Sequence, residues 1–233
     1  TDSTFAIWIA YFEDLGERSY RETWDYQESL LQANVARKQA GKAEETRHQL
    51  LFVIHPPVYT LGKSGDPQHV LISEAERQNR SIEYSQTNRG GDITFHGPGQ
   101  LVVYPILDLE KFERDIGKYL RNLEEVVIRI LGDYGLTGER SSGETGVWLD
   151  STIPEKARKI CAIGVRCSRW ISMHGFALNV NTDLGYFQHI VPCGIPDKKV
   201  TSLEAELGRP IELSVVKQQV LDRFSEIFQV DFS

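Results

Sequence analysis

The stretch Arg89–Gly90–Gly91–Asp92–Ile93–Thr94–Phe95–His96–Gly97–Pro98–Gly99–Gln100 constrains this chain more than any other part of it. Its four glycines open positive φ and let backbone approach a neighbour or a ligand closely. It lies between two strand-like runs, Ile82–Asn88 and Gln100–Leu109. A plain hairpin needs only about two to five connecting residues, and it has no use for Arg, Asp, Thr and His interleaved with the glycines. A tight turn between strands stays open as the simpler reading. The segment fits neither the P-loop nor the dinucleotide-binding glycine pattern, so nothing in it supports a nucleotide phosphate site.

Around that segment, hydrophobic spacing predicts a mixed order of elements. Phe5–Phe12 reads as a buried first strand, and Tyr20–Lys38 as a helix with Tyr20, Trp24, Leu31 and Val35 on one face. Gln49–His55 is a strand stopped by Pro56-Pro57. A short helix lies within Pro67–Gln78, and Pro105 suggests an edge or a bend in the strand Gln100–Leu109. Asp115–Tyr134 is the clearest helix, and Gly146–Asp150, Lys159–Cys167 and Ile171–Asn181 are strands. Ser214 is placed to cap a last helix carrying Val216, Val220, Phe224 and Phe228. Hairpin-like strands with few helices predict a mixed α/β (α+β) fold rather than a doubly wound one.

Composition narrows the function classes. A hydrophobic content of 40% with 25% charged residues is that of a globular enzyme. The net charge of −7 argues against general nucleic-acid binding, which needs a basic footprint. No apolar run approaches the ~20 residues that span a bilayer, and no signal peptide is expected ahead of Phe5. Three cysteines are too few for a disulfide framework and point to a reducing, cytoplasmic setting. No CxxC pair exists, so no structural metal is expected.

Three further segments bear on chemistry. In Pro192–Cys193–Gly194–Ile195–Pro196 a thiol sits between a proline and a glycine, whereas Cys161 and Cys167 lie within apolar strands, where cysteines are usually inert. Pattern leaves both nucleophile and bystander open for Cys193. Lys159 opens Lys159–Ile160–Cys161–Ala162–Ile163–Gly164–Val165–Arg166. By itself it reads as a solvated strand-edge lysine; beside a cysteine its ammonium would lower the thiol pKa. In His174–Gly175–Phe176–Ala177–Leu178–Asn179, the Gly–Phe–Ala portion suits the wall of an alkyl tunnel, or an ordinary strand with a glycine kink.

Taken together and in this order, these segments resemble the lipoyl(octanoyl) transferases of the biotin/lipoate protein ligase-like superfamily. The likeness runs from about Ala6 to Leu207 and includes Val200–Thr201–Ser202–Leu203 and the 34 positions separating Lys159 from Cys193. Met173, where the family pattern has a threonine, and Lys198-Lys199 in the loop after the cysteine are departures. The resemblance implies a central mixed sheet flanked by helices, with a small second sheet. It implies one catalytic domain over residues 1–233, with 210–233 as a helical appendage packed on it. Cys193 would carry the acyl thioester and Lys159 would lower its pKa and shuttle protons. Arg89, Gly90, Gly91, Asp92, Ile93, Thr94, Phe95 and His96 would bind substrate, with Ala162, Ile163, Gly164, Gly175, Phe176 and Ala177.

The implied reaction moves an octanoyl group from octanoyl-acyl carrier protein to a lysine of lipoyl domains, the first step of endogenous protein lipoylation. The donor would deliver the chain on its phosphopantetheine arm, with no ATP and no metal. The acceptors would be lipoyl domains of 2-oxoacid dehydrogenase complexes and the glycine cleavage H protein, served by a monomer with no nucleic-acid or membrane partner. The alternatives are an ATP-dependent lipoate-protein ligase on the same fold and a thiol acyl hydrolase pairing Cys193 with His96, His174 or His189.

Overall fold

The structure is a computed structural model that describes residues 7–191 and 199–233. Its strands and helices run in the order β1 (Trp8–Glu17), α1 (Tyr20–Gln39), β2 (His48–Ile54), β3 (Val58–Leu61), α2 (Glu74–Asn79), β4 (Glu83–Gln86), β5 (Ile93–His96) and β6 (Gln100–Ile106). Then follow α3 (Ile116–Asp133), β7 (Glu139–Ser141), β8 (Glu144–Leu149), β9 (Arg158–Ser168), β10 (Ile171–Asn179), β11 (Lys199–Val200), α4 (Leu203–Leu207), α5 (Leu213–Phe228) and β12 (Val230–Phe232).

Among the described residues, nine strands form one mixed sheet in the order β12-β1-β2-β6-β10-β9-β8-β7, with β11 beside β9. A small sheet, β4-β3-β5, stands apart. The large sheet is buried on both faces in its centre, so its strands read as continuous apolar runs. Leu50 and Phe52 of β2, with Leu101 and Val103 of β6, join α3 and α5 in the larger core. Leu51, Val53, Val102 and Tyr104, one residue out of phase, face Leu31 and Val35 of α1. A third core of Tyr59, Ile93, Phe95 and their neighbours backs the small sheet.

Several local expectations change. The first strand begins at Trp8 and only Ala10 within it is buried, because β1 lies next to the sheet edge with Ile9 and Tyr11 in solvent. Ser214 does not cap the last helix; Glu212 precedes it without a side-chain cap. The C-terminal segment is no appendage. Val216, Val220, Phe224 and Phe228 belong to the larger core, and β12 extends the sheet in parallel with β1.

Pro105 does not sit on an edge strand; it is the penultimate residue of β6. β6 is central, paired with β2 through Ile106 and with β10 only through Val103. On the β10 side the same register resumes at Asp108↔Ile171. Proline has no N–H to donate, so the ladder skips the stretch around it. Ser172 fills the gap, its hydroxyl accepting from Leu107 N and donating to Pro105 O. No helix among the described residues is long and apolar enough to cross a membrane.

α3 ties the larger core together. Asp115 caps it by accepting from Lys118 N at 3.0 Å, and Leu123, Val126, Val127, Ile130 and Leu131 are completely buried. Leu123→Ala is expected to lower unfolding free energy by roughly 2–5 kcal/mol, measured by urea unfolding, whereas a loss under ~1 kcal/mol would contradict this placement.

Candidate active site

A cavity of about 250 Å³ opens between the α1 face of the large sheet and the glycine-rich segment. Thirteen of the sequence-selected positions line it: Arg89, Gly91, Asp92, Ile93, Thr94, His96, Lys159, Ala162, Ile163, Gly164, Gly175, Phe176 and Ala177. Residues up to 88 positions apart in the chain (Arg89 to Ala177) thus share one space, which secondary-structure spacing alone cannot reveal.

Two contacts shape the glycine-rich side. Gly90 N donates to Val165 O at 2.9 Å, which brings the segment onto β9. A Cβ at Gly164 would lie 2.5 Å from Gly90 O, so a side chain there would push the two backbones apart. Arg89 then acts as an internal clamp. Its guanidinium donates to Thr60 O at 2.7 Å, to Gly90 O at 2.8 Å and to Asp92 O at 2.8 Å. Asp92 in turn accepts from His69 Nδ1 at 2.6 Å. Gly90 and Phe95 do not line the cavity. Phe95 belongs to the small sheet's core, stacked on Tyr186 with ring centres 4.5 Å apart.

The opposite wall carries Lys159. Its ammonium lies 5.3 Å from the centre of the Trp148 ring, a cation–π distance. A Cβ on Gly146 would come within 2.6 Å of Lys159 Cε and 2.8 Å of Cys161 O, so the glycine leaves the space through which the lysine runs. Gly146 also takes φ +131°, outside the range of ordinary side chains. Neighbouring groups anchor the strand: Arg158 pairs with Asp150 at 2.7 Å and with Glu206.

The three thiols divide as follows. Cys161 is fully buried and burial pushes its pKa well up, against a lowering influence from Lys159. Burial also raises the half-buried Cys167. Neither resembles a thiolate nucleophile. Cys193 lies outside the described residues. The described chain ends before it with Val191 N donating to His69 O at 2.8 Å, and resumes with Val200 paired to Lys159 and Thr201 N donating to Lys159 O at 2.8 Å.

Polar groups mostly outside the expected substrate-binding positions complete the cavity. Gln100 Nε2 donates to Phe95 O and to Asn179 Oδ1, so its carbonyl oxygen faces His96 Nδ1 at 2.7 Å and must accept. His96 therefore carries its proton on Nδ1. Asn179 Nδ2 continues to Thr201 O at 3.1 Å, joining the glycine-rich side to the chain beyond β11. His174 takes φ +61° opposite Pro105, and its N–H goes to Gln27 Oε1 at 2.7 Å instead of to β6. Tyr20, read from sequence as an ordinary helix-face residue, opens α1 and stacks on His96 at 5.8 Å. His174, Gln100 and Asn179 fall within the segments that the sequence marks for chemistry without a role of their own there; Tyr20 had no such signal.

Burial keeps these imidazoles neutral. It lowers His96 to about 3 and His174 to about 3, and outside the cavity lining it lowers His55 and His48 to about 4. An unfolded histidine titrates near 6.5, so between pH ~6.5 and ~4 the unfolded chain binds more protons than the folded one, and stability falls with pH. Urea unfolding at pH 7.5 and pH 5 should show a drop of several kcal/mol, with about three to four protons taken up on unfolding near pH 5. A flat profile across that window would contradict neutral burial.

With this geometry in view, relatives are informative. The family model for the lipoyl protein ligase A/B catalytic domain matches residues 19–225. The chain is 57% identical over 223 residues to an octanoyltransferase of Christiangramia forsetii, covering 94% of this chain and 95% of that one. It is 53% identical over 221 residues to an octanoyltransferase of Flavobacterium psychrophilum, covering 93% and 95%. In fold it is similar to the bi-partite lipoate protein ligase of an archaeal lipoylation system from Thermoplasma acidophilum, with TM-score 0.70 and 17% identity over 97% of this chain and 86% of that one. It is likewise similar to lipoate-protein ligase A bound with ATP, with TM-score 0.68 and 16% identity over 98% and 88%. A large mixed sheet with flanking helices and a small second sheet is accordingly a lipoate-protein ligase-like fold, and the chain is a member of the lipoyl protein ligase A/B catalytic domain family.

Proposed function

We propose that this enzyme is an acyltransferase that moves an octanoyl group from octanoyl-acyl carrier protein to a lysine of lipoyl domains through a thioester on Cys193. The observation that carries the reading is the cavity itself: Lys159 lines it together with the apolar Val102, Ala162 and Ala177, surface suited to an alkyl chain. Names of relatives above 50% identity agree with octanoyl transfer. The tethering of Val200 to Lys159 supports pairing of the lysine with Cys193, which precedes Lys199 by six positions.

The chemistry closes on itself. With Lys159 as ammonium, Cys193 is held as thiolate, its pKa drawn down from about 8.5. The thiolate adds to the donor carbonyl, the bond to the phosphopantetheine sulfur breaks, and Lys159 gives its proton to the departing sulfur. The acceptor lysine then attacks as the free amine, Lys159 takes the surplus proton, and Cys193 leaves as thiolate. One thioester replaces another and an amide replaces the second, a downhill sequence that needs no ATP. Burying the chain at ~0.8 kcal/mol per methylene supplies several kcal/mol of binding. The acceptors of this reading are lipoyl domains of 2-oxoacid dehydrogenase complexes and the glycine cleavage H protein.

Intact-mass analysis after mixing with octanoyl-acyl carrier protein tests it. One octanoyl adduct is expected, absent in Cys193→Ser, and its formation should slow by roughly 10²–10⁴-fold in Lys159→Met. An adduct that persists in Cys193→Ser would refute the thioester. Transfer from free octanoate that depends on ATP and survives in Cys193→Ser would favour the ligase chemistry of the fold relative that binds ATP.

A further inference from the structure

Alternation along β9 does not by itself bring Lys159 to the cavity. Cys161 and Ile163 belong to the larger core, and Ala162 between them lines the cavity, paired with Ala177. In a regular strand successive side chains take opposite faces. Lys159, three positions before Ala162, would then point into the larger core, where an ammonium is costly to bury. The register with β8 shows why it does not. Val147 is paired with Cys161 and Trp148 with Lys159, so β9 advances two residues while β8 advances one. Ile160 is the extra residue of a β-bulge, and it shares the larger core with its neighbour Cys161. The bulge turns Lys159 to the cavity face. It falls where β10 stops pairing with β9, at Leu178↔Cys161, and β11 takes over at Val200↔Lys159.

The bulge also sets what stands beside the lysine. Val147 and Leu149 face the larger core, so Gly146 and Trp148 share the opposite face with Lys159. Gly146 gives the stem its passage, and Glu124 of α3 fixes that glycine by accepting from its N–H at 3.2 Å. Trp148 is 5% exposed and lies directly across the ladder from Lys159, its ring centre 5.3 Å from the ammonium. Among the charged neighbours, Arg158 is tied to Asp150 and Glu206, and Glu124 to Arg140. An indole face attracts a cation more strongly than other aromatic faces do, and more so away from water. The four-carbon lysine stem is flexible, so contacts at its tip decide where the charge stands.

We propose that Trp148 is a positioning residue of acyl transfer, its indole face holding the Lys159 ammonium where the bulge aims it. The proposal rests on the reading above, in which that ammonium lowers the Cys193 pKa and exchanges protons with the reacting sulfur and amine. Trp148 touches no substrate in this role; it acts through Lys159. Removing the ring would leave the lysine charged but held less firmly. Cys193 would then lose part of its thiolate, and the departing sulfur part of its proton supply.

The test follows iodoacetamide alkylation of the full chain against pH, with each cysteine read by peptide mass. In the wild type Cys193 should label with a midpoint below the ~8.5 of an ordinary thiol, and in Lys159→Met with a midpoint near it. Trp148→Leu and Trp148→Met lack a ring face. They should raise the midpoint by about one unit and slow octanoyl adduct formation on the order of tenfold. Trp148→Phe should recover most of both, since a phenyl face still attracts a cation. Cys161 is fully buried, so its labelling marks unfolded chain and separates a folding defect from a displaced lysine. A purely structural tryptophan would lower the folded fraction and leave the midpoint of the folded chain where it was. A wild-type midpoint in folded Trp148→Leu or Trp148→Met, or no recovery in Trp148→Phe, would overturn the positioning role. A wild-type midpoint in Lys159→Met would remove the underlying reading of Lys159 instead.

Discussion

The cavity exists because two backbones meet without side chains between them. Gly90 lies on Gly164, and the hydrogen bond from Gly90 N to Val165 O holds the glycine-rich segment against β9. Arg89 closes the other side by bonding Thr60, Gly90 and Asp92 at once. A buried guanidinium costs a great deal unless its donors are met, and here carbonyls of three residues meet them. The glycine-rich segment is thus first a structural bridge between the small sheet and the large one. Its capacity to border a ligand follows from that bridging.

A second constraint acts at Pro105. A proline in a central strand is tolerated only where its missing N–H has no ladder partner to satisfy. β10 meets that condition by leaving the β6 ladder between Val103 and Asp108. The backbone of His174 turns left-handed there, and Gln27 of α1 takes up its N–H. Of the buried polar residues on α1, Gln27 is accounted for by this repair, while Thr23 bonds Ser19 O and Asn34 bonds Arg47. Thr23, Gln27 and Asn34 are all fully buried.

The fold does not decide the chemistry. The same architecture carries a lipoate-protein ligase that binds ATP, so activity is argued from side chains at the site. Among the thiols, Cys161 and Cys167 are held high by burial, and Lys159 has its room from Gly146. Neutral imidazoles and an ammonium beside an indole ring make a site suited to proton transfer at one end and to an apolar chain along its length.

Much of this was legible in the residues. The Asp115–Tyr134 periodicity, the strand that ends at Pro56-Pro57, the glycine-rich segment and the contrast between strand thiols and a loop thiol depend on neighbours in the chain, and local physics governs them. β3 was missed because four residues after two prolines leave no period to read, and β12 because three residues leave none either. Pro105 was misplaced because centrality in a sheet is a property of partners, not of the strand. Tyr20, His174, Gln100 and Asn179 acquire meaning only when α1, β6 and β10 come together, since a hydrogen bond left unmade is defined by what surrounds it. The sequence by itself determined the long helices and strands and the order of the glycine-rich, lysine and cysteine segments along the chain. Only the tertiary structure decided that a lysine, apolar side chains and buried imidazoles border one cavity, because burial and partnership depend on contacts between segments far apart in the chain.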